Sequence, residues 1–267
     1  MTRSLFEKTA WVLAAIFAVC LFGGTAQAQE IEFPEEWQQA VEPLRSVPVQ
    51  DYGFIRSGFT FGENHLMALN GKKSFQGLDA FNVIMFALLY PQEIASVPVI
   101  KISHPELAKS FETKMISLQE YRKPGVRQKL IGLINADQEK WMQPVNELEH
   151  RATLLENLPE DFAIIPRQDE WLAPVNLRDQ NAEREVDLEI KALWQELKSA
   201  AQEDDVERAG EAAEALTKAV KGAAAAADIE LPNLQLDLFY HNHAPFSKAA
   251  LAYLFAVVER VGVEKRP

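Results

Sequence analysis

Residues 239–246 read Phe-Tyr-His-Asn-His-Ala-Pro-Phe, and His241 and His243 are the closest pair among the five histidines of the chain. On an extended segment, His-x-His spacing puts both imidazoles on one face, close enough to share a metal ion. Two ligands leave a coordination shell open, and no third ligand is evident in the neighbouring sequence, so no metal site is assigned. His241 and His243 are kept only as weak cofactor-binding candidates. The competing reading has them supply polar groups, with Tyr240 and Asn242, at a turn or a membrane surface. His65, His104 and His150 are isolated in sequence, and each reads as a helix cap or a surface residue. No Ser/His/Asp or Cys/His set can be assembled, and Gly53, Gly58 and Gly62 are too far apart for a phosphate loop and lack the following Lys-Ser/Thr. The acidic triplet Glu203-Asp204-Asp205 falls in a turn, where solvation accounts for it. The expectation is therefore a chain with no catalytic residues of its own, and not an enzyme.

The elements that would position these residues read as mainly helical. Glu35 to Leu44 suits a short helix, followed by extended segments around Pro48 and Gly53. Glycines at 58, 62, 71 and 77 divide the next stretch into helices near Glu63–Asn70 and Leu78–Tyr90. The second is apolar nearly all round, which places it either at the centre of a core or against a membrane partner. Pro98 to Ile102 alternates and is β-branched, so it predicts a short strand, with a brief helix from Ser103 or His104 to Phe111. A long helical stretch covers Pro124 to Leu158, kinked or divided at Pro144. Phe162 to Asn176 suits an extended connector lying on the core. Val186, Ile190, Leu193, Trp194 and Leu197 form one apolar stripe, and Val206, Ala209, Ala213, Leu216 and Val220 form a second, predicting a helical hairpin. Asp204 with Glu207 gives a capping-box-like start to its second helix, and Gly222 with the alanine run 223–227 ends the hairpin or lets it fray. Leu234, Leu236 and Leu238 alternate with polar or aromatic residues and predict a half-buried strand leading into residues 239–246. The fold class expected is mainly α, with a helical hairpin and one or two short strands.

The first 28 residues carry Arg3 and Lys8, an apolar core from Ala10 to Phe22, and Ala-Gln-Ala at 26–28, the layout of a secretory signal peptide cut after Ala28. Its apolar core of about 13 residues is shorter than the ~20 that a spanning helix needs. Cys20, the one cysteine of the chain, lies inside it. Loss of Arg3, Lys8 and Glu7 moves the formal net charge from -12 to -13. Such acidity argues against nucleic acid, which needs clustered Lys and Arg, and leaves a basic protein partner as an option. Expected domains are the signal peptide at 1–28, a helical extracytoplasmic domain at 29–248, and at 249–267 the truncated start of a membrane-like helix with a tail. Ala249 to Val258 is fully apolar but spans ten residues, half a membrane crossing, before Glu259 and Arg260.

In this order, several segments resemble the extracytoplasmic region of CcsA/ResC-type cytochrome c biogenesis proteins, the haem-handling membrane component of the type II maturation system. They are Leu69-Asn70-Gly71-Lys72-Lys73-Ser74-Phe75-Gln76-Gly77 followed by Ala80 to Tyr90 and Pro91; Pro98 to Ile102 with His104-Pro105-Glu106-Leu107; Ile164-Ile165-Pro166 with Trp171; and Phe239 to Val258, which looks like the entry into the first helix of the haem-handling part. The chain departs from that family at Tyr52 to Gly58, where a Gly-Arg-x-x-Pro-Leu stretch is usual. It also lacks the haem-handling helices with their Trp-rich segment, so no haem ligand carries over to a position here. The resemblance implies an accessory or truncated component of cytochrome c biogenesis, periplasmic and associated with the inner membrane, acting as a binding or scaffold domain. It further implies an integral-membrane biogenesis subunit as partner, with apocytochrome c as a second, and haem reached only through that membrane partner. Either a split gene or an independent docking subunit fits the missing part. The alternatives are a periplasmic helical binding or scaffold protein unrelated to haem and, least favoured, an exported hydrolase.

Overall fold

The computed structural model describes residues 30–178, 182, 184–234 and 236. The signal peptide, the pair His241/His243 and the apolar run 249–258 lie outside the described residues.

Ten α-helices, one 3-10 helix and three antiparallel strand pairs occur among the described residues, so the fold is mainly α. Helix α1 (Glu35–Ala40) and the 3-10 helix (Glu42–Ser46) lead into the β1–β2 hairpin (Pro48–Asp51 and Phe54–Ser57). Ser57 then caps α2 (Gly58–Asn70) by accepting from the Thr60 amide at 3.2 Å. This helix begins five residues before the expected start, because Gly58 and Gly62 act as contact points and not as breaks. A Cβ at Gly58 would meet the Leu44 carbonyl at 2.3 Å, and one at Gly62 would meet Phe81 Cα at 2.7 Å. Gly71 ends α2 in the left-handed conformation that only glycine adopts without strain.

A two-residue pair, β3 (Ser74–Phe75) and β4 (Leu78–Asp79), delivers the chain to α3 (Ala80–Leu89). Asp79 caps α3, accepting from the Asn82 amide at 2.9 Å. All ten α3 residues are buried, which settles its place at the centre of the core. Helix α1 and the short α4 (Pro91–Ile94) border it.

The expected strand at 98–102 shrinks to β5 (Ile100–Lys101), paired with β6 (Met115–Ile116) around α5 (Pro105–Phe111). Val99 spends its amide on the Val97 carbonyl instead of on a strand partner. After α6 (Leu118–Tyr121), the long helical stretch divides into α7 (Pro124–Ala136) and α8 (Gln138–Asp161). The division falls at Asp137, not at Pro144. Asp137 is extended and its carboxylate accepts from the Lys140 amide at 3.0 Å, so it starts a new helix, whereas Pro144 removes one amide inside α8 without ending it.

The predicted hairpin forms from α9 (Glu185–Glu203) and α10 (Val206–Ala226). Asp205, not Asp204, caps α10, and the helix runs through Gly222 to end within the alanine run, at Ala226. The hairpin docks on the first elements of the domain: Thr217 Oγ1 donates to the Pro43 carbonyl at 3.2 Å and Lys221 Nζ to Ser46 Oγ at 2.9 Å. At its other end Asp187, fully buried, accepts from Arg184 at 2.7 Å and faces Arg167 at 3.6 Å, while Arg184 also donates to the Pro166 carbonyl of the connector. The half-buried strand expected from Leu234 is corrected: Leu234 and Leu236 are helical, with Asn233 Oδ1 accepting from the Leu236 amide at 3.0 Å. A side-chain cap of this kind favours a first helical turn over an extended ladder.

Candidate functional site

Two acids precede Trp37 directly in the short α1, and two more stand at positions 30 and 32. The six-residue helix turns Trp37 inward, where it is 2% exposed, and leaves Glu36 outside. Phe33 stacks on Trp37 at 6.4 Å and meets Phe86 of α3 edge-on at 5.8 Å. Tyr90, at the end of α3, lies 5.1 Å from Phe86 and edge-on to Trp37 at 6.2 Å. Four aromatic rings thus form a wall between α1, α3 and the α9–α10 turn.

Above this wall opens a cleft of about 580 Å³ lined by Glu30, Glu32, Glu36, Glu93 and Asp204 around Trp37, Phe86 and Tyr90. Asp204 ends α9 in the left-handed conformation (φ 56) and accepts from Trp37 Nε1 at 3.0 Å. Solvation therefore does not account for it. Its neighbours in the triplet are also engaged: Glu203 holds Arg208 at 2.6 Å, and Asp205 caps α10. Tyr90 donates to the Ala201 carbonyl at 3.3 Å, and burial, with Asp204 and then Glu93 nearby, pushes its phenol up to about 12. Carboxylates over aromatic faces attract a cation, such as a lysine or arginine side chain, through charge and ring quadrupole together.

The isolated histidines fall in three different settings. His104 caps α5, its Nδ1 accepting from the Leu107 amide at 3.4 Å, and His150 is exposed, both as expected. His65 departs from expectation. It is 2% exposed, stacked on Phe61 at 4.0 Å, with Nδ1 3.0 Å from the Phe61 carbonyl and Nε2 3.8 Å from an Asp161 carboxylate oxygen. The structure brings none of these three histidines together, and no group of three or more metal-ligating side chains occurs among the described residues.

No family model matches the chain, and no curated protein does. Among the described residues, the segments that carry the resemblance are tethered at two places, and Phe239 to Val258 lies outside them. Arg151 of α8 donates to the Ala68 carbonyl just before the Leu69–Gly77 element, to the Lys101 carbonyl of β5 and to Ser103 Oγ, at 3.0, 2.6 and 2.7 Å. The Ile164–Trp171 connector is held on β1, since the Gln50 amide donates to the Ala163 carbonyl and the Trp171 amide donates to Gln50 Oε1. Sequence reasoning missed the acidic aromatic cleft. Its signal was the tryptophan embedded in an acidic segment, which periodicity does not weigh because α1 is shorter than two turns.

Proposed function

We propose that this chain is an extracytoplasmic binding or scaffold domain of a cytochrome c maturation assembly, docking on an integral-membrane biogenesis subunit near the point of haem delivery. Haem ligation and covalent attachment belong to the partner, and the chain contributes no catalytic residue. The observations that support this reading are the order of the resembling segments along the sequence and the tie between two of them, since Arg151 joins the end of α2, just before the Leu69–Gly77 element, to β5 and Ser103.

The acidic aromatic cleft supports the choice of partner chemistry. Lysine-rich segments, of the kind expected in an apocytochrome c, would meet five carboxylates there. The same cleft also favours the second reading, a periplasmic helical binding protein for basic peptides unrelated to haem.

The test is co-purification of the full chain with the membrane subunit encoded beside it, together with haem staining of c-type cytochromes in cells lacking the chain. A one-to-one complex and loss of stained cytochromes are expected; neighbouring frames unrelated to cytochromes and an unchanged stain would sink the reading. Titration of the isolated chain with haem should move the Soret band little. A tight shift abolished by His241→Ala would instead make the chain itself a haem ligand.

A further inference from the structure

The β1–β2 hairpin turns through two residues, Tyr52 and Gly53, with Asp51 opposite Phe54 in register. Both loop residues have positive φ, 49 and 80, as a primed hairpin turn demands. Asparagine or glycine suits the first of these positions, and a bulky aromatic is strained there. The fold gains little in return, because Tyr52 is 76% and Phe54 66% exposed. A strained aromatic whose ring faces outward points to a contact outside the described chain.

We infer that Tyr52 and Phe54 enter the interfacial layer of a zwitterionic lipid bilayer. The placement rests on the proposed reading only in having the C-terminal segment bring the domain to a membrane. Three observations select this occupant. Pro232 and Leu234 share a surface depression with Phe54, Ile55 and Arg56, and Leu236 is 45% exposed, so the last described residues lie beside the hairpin. Thirteen residues beyond Leu236 the apolar run 249–258 begins, too short to span but long enough to lie at an interface. Within the strands themselves the charge is paired: Asp51 is 4% exposed, accepts from Asn64 at 3.1 Å and faces Arg56 at 3.6 Å, and the Arg56 guanidinium lies over the Phe54 ring at 5.6 Å. Behind Tyr52, Glu160, Asp161 and Glu170 line a second depression. These carboxylates suit the ammonium end of a choline or ethanolamine headgroup and repel an anionic one. Tyrosine and phenylalanine at the level of the headgroups anchor proteins through ring amphipathicity and buried area.

Flotation of the purified full chain with phosphatidylcholine vesicles tests this. The wild type is expected to float, and the double variant Tyr52→Asn, Phe54→Ser to lose roughly tenfold in the vesicle-bound fraction. Tyr52→Asn alone should raise Tm by about 2–4 °C, because asparagine tolerates the left-handed turn, while still weakening flotation. A merely structural role for the tip would move stability and binding in the same direction. The inference is overturned if the wild type stays with the soluble fraction, if the double variant floats as well as the wild type, or if phosphatidylglycerol vesicles bind better than phosphatidylcholine; loss of binding by Leu251→Ser, Leu254→Ser alone would assign the membrane contact to residues 249–258. None of these results depends on the membrane subunit, so failure to float and failure to co-purify with that subunit are distinguishable outcomes.

Discussion

Asp204 shows how one side chain can be read wrongly from its neighbours alone. In sequence it belongs to an acidic turn; in the fold it is the acceptor for a buried indole 167 positions away. Charge and hydrogen bonding can be separated there by substitution. Asp204→Asn keeps an acceptor and a residue that tolerates positive φ, and it relieves repulsion from Glu30, Glu32, Glu36 and Glu93, so urea unfolding should show a change within about 0.5 kcal/mol of zero. Asp204→Gly relieves the backbone but leaves the Trp37 N–H without a partner, and should destabilise by about 1 kcal/mol. Tyr90 gives a pH signature. Its folded phenol titrates near 12 against 10.0 in the unfolded chain, so the folded state resists ionisation. Stability from this group is complete below about pH 10 and is lost as the pH rises from about 10 to about 12. Tyr90→Phe should flatten that alkaline fall in a series of thermal melts.

At the scale of elements, glycines divide into those that touch something and those that do not. Gly62→Ala in α2 drives a methyl against the Phe81 backbone and should destabilise by about 1–3 kcal/mol, with no flexible side chain able to yield. Gly132→Ala in α7 meets nothing within 4 Å and should stabilise by about 0.5–1 kcal/mol through helix propensity. Paired denaturation curves check both signs. The same contrast explains what sequence patterning could and could not deliver. The α9–α10 hairpin was legible because its stripes repeat over about three and four turns, and α3 because its apolar residues leave no solvent face. The start of α2 was not, since nothing local distinguishes a glycine that breaks a helix from one that lets two helices meet. The turn at Asp137 was hidden for a related reason: proline is a louder signal than an aspartate cap, although here the cap divides the helix and the proline does not. The cleft escaped because its walls come from residues 30–37, 86–93 and 201–204, which only tertiary packing unites.

For the molecule as a whole, the hairpin is a structural necessity and not an appendage. It covers the apolar sides of α1 and the 3-10 helix, where Val41 and Leu44 are fully buried, and its Trp194 packs on Phe162 at 5.2 Å. A chain ending before Glu185 should therefore lack a cooperative thermal transition and should bind a hydrophobic dye. Supplying residues 184–236 as a separate fragment is the measurement that checks whether the loss is one of packing: recovery of the transition is expected.

The bonds from Trp37 to Asp204, from Thr217 to Pro43 and from Lys221 to Ser46 join the two ends of the described chain across sequence separations of 167 to 175 residues. A polypeptide is made one end first, at about 5–20 residues per second. The opening helix must thus wait roughly ten to thirty seconds for the carboxylate that accepts its indole N–H. During that interval Phe33 and Trp37 can pack on Phe86 and Tyr90, but the sides of the opening elements that α10 covers, Val41 and Leu44 among them, stay open. Folding of the described residues is therefore timed by α9 and α10, and a holding factor that shields residues 30–44 would act at the step where the nascent chain is most prone to aggregate.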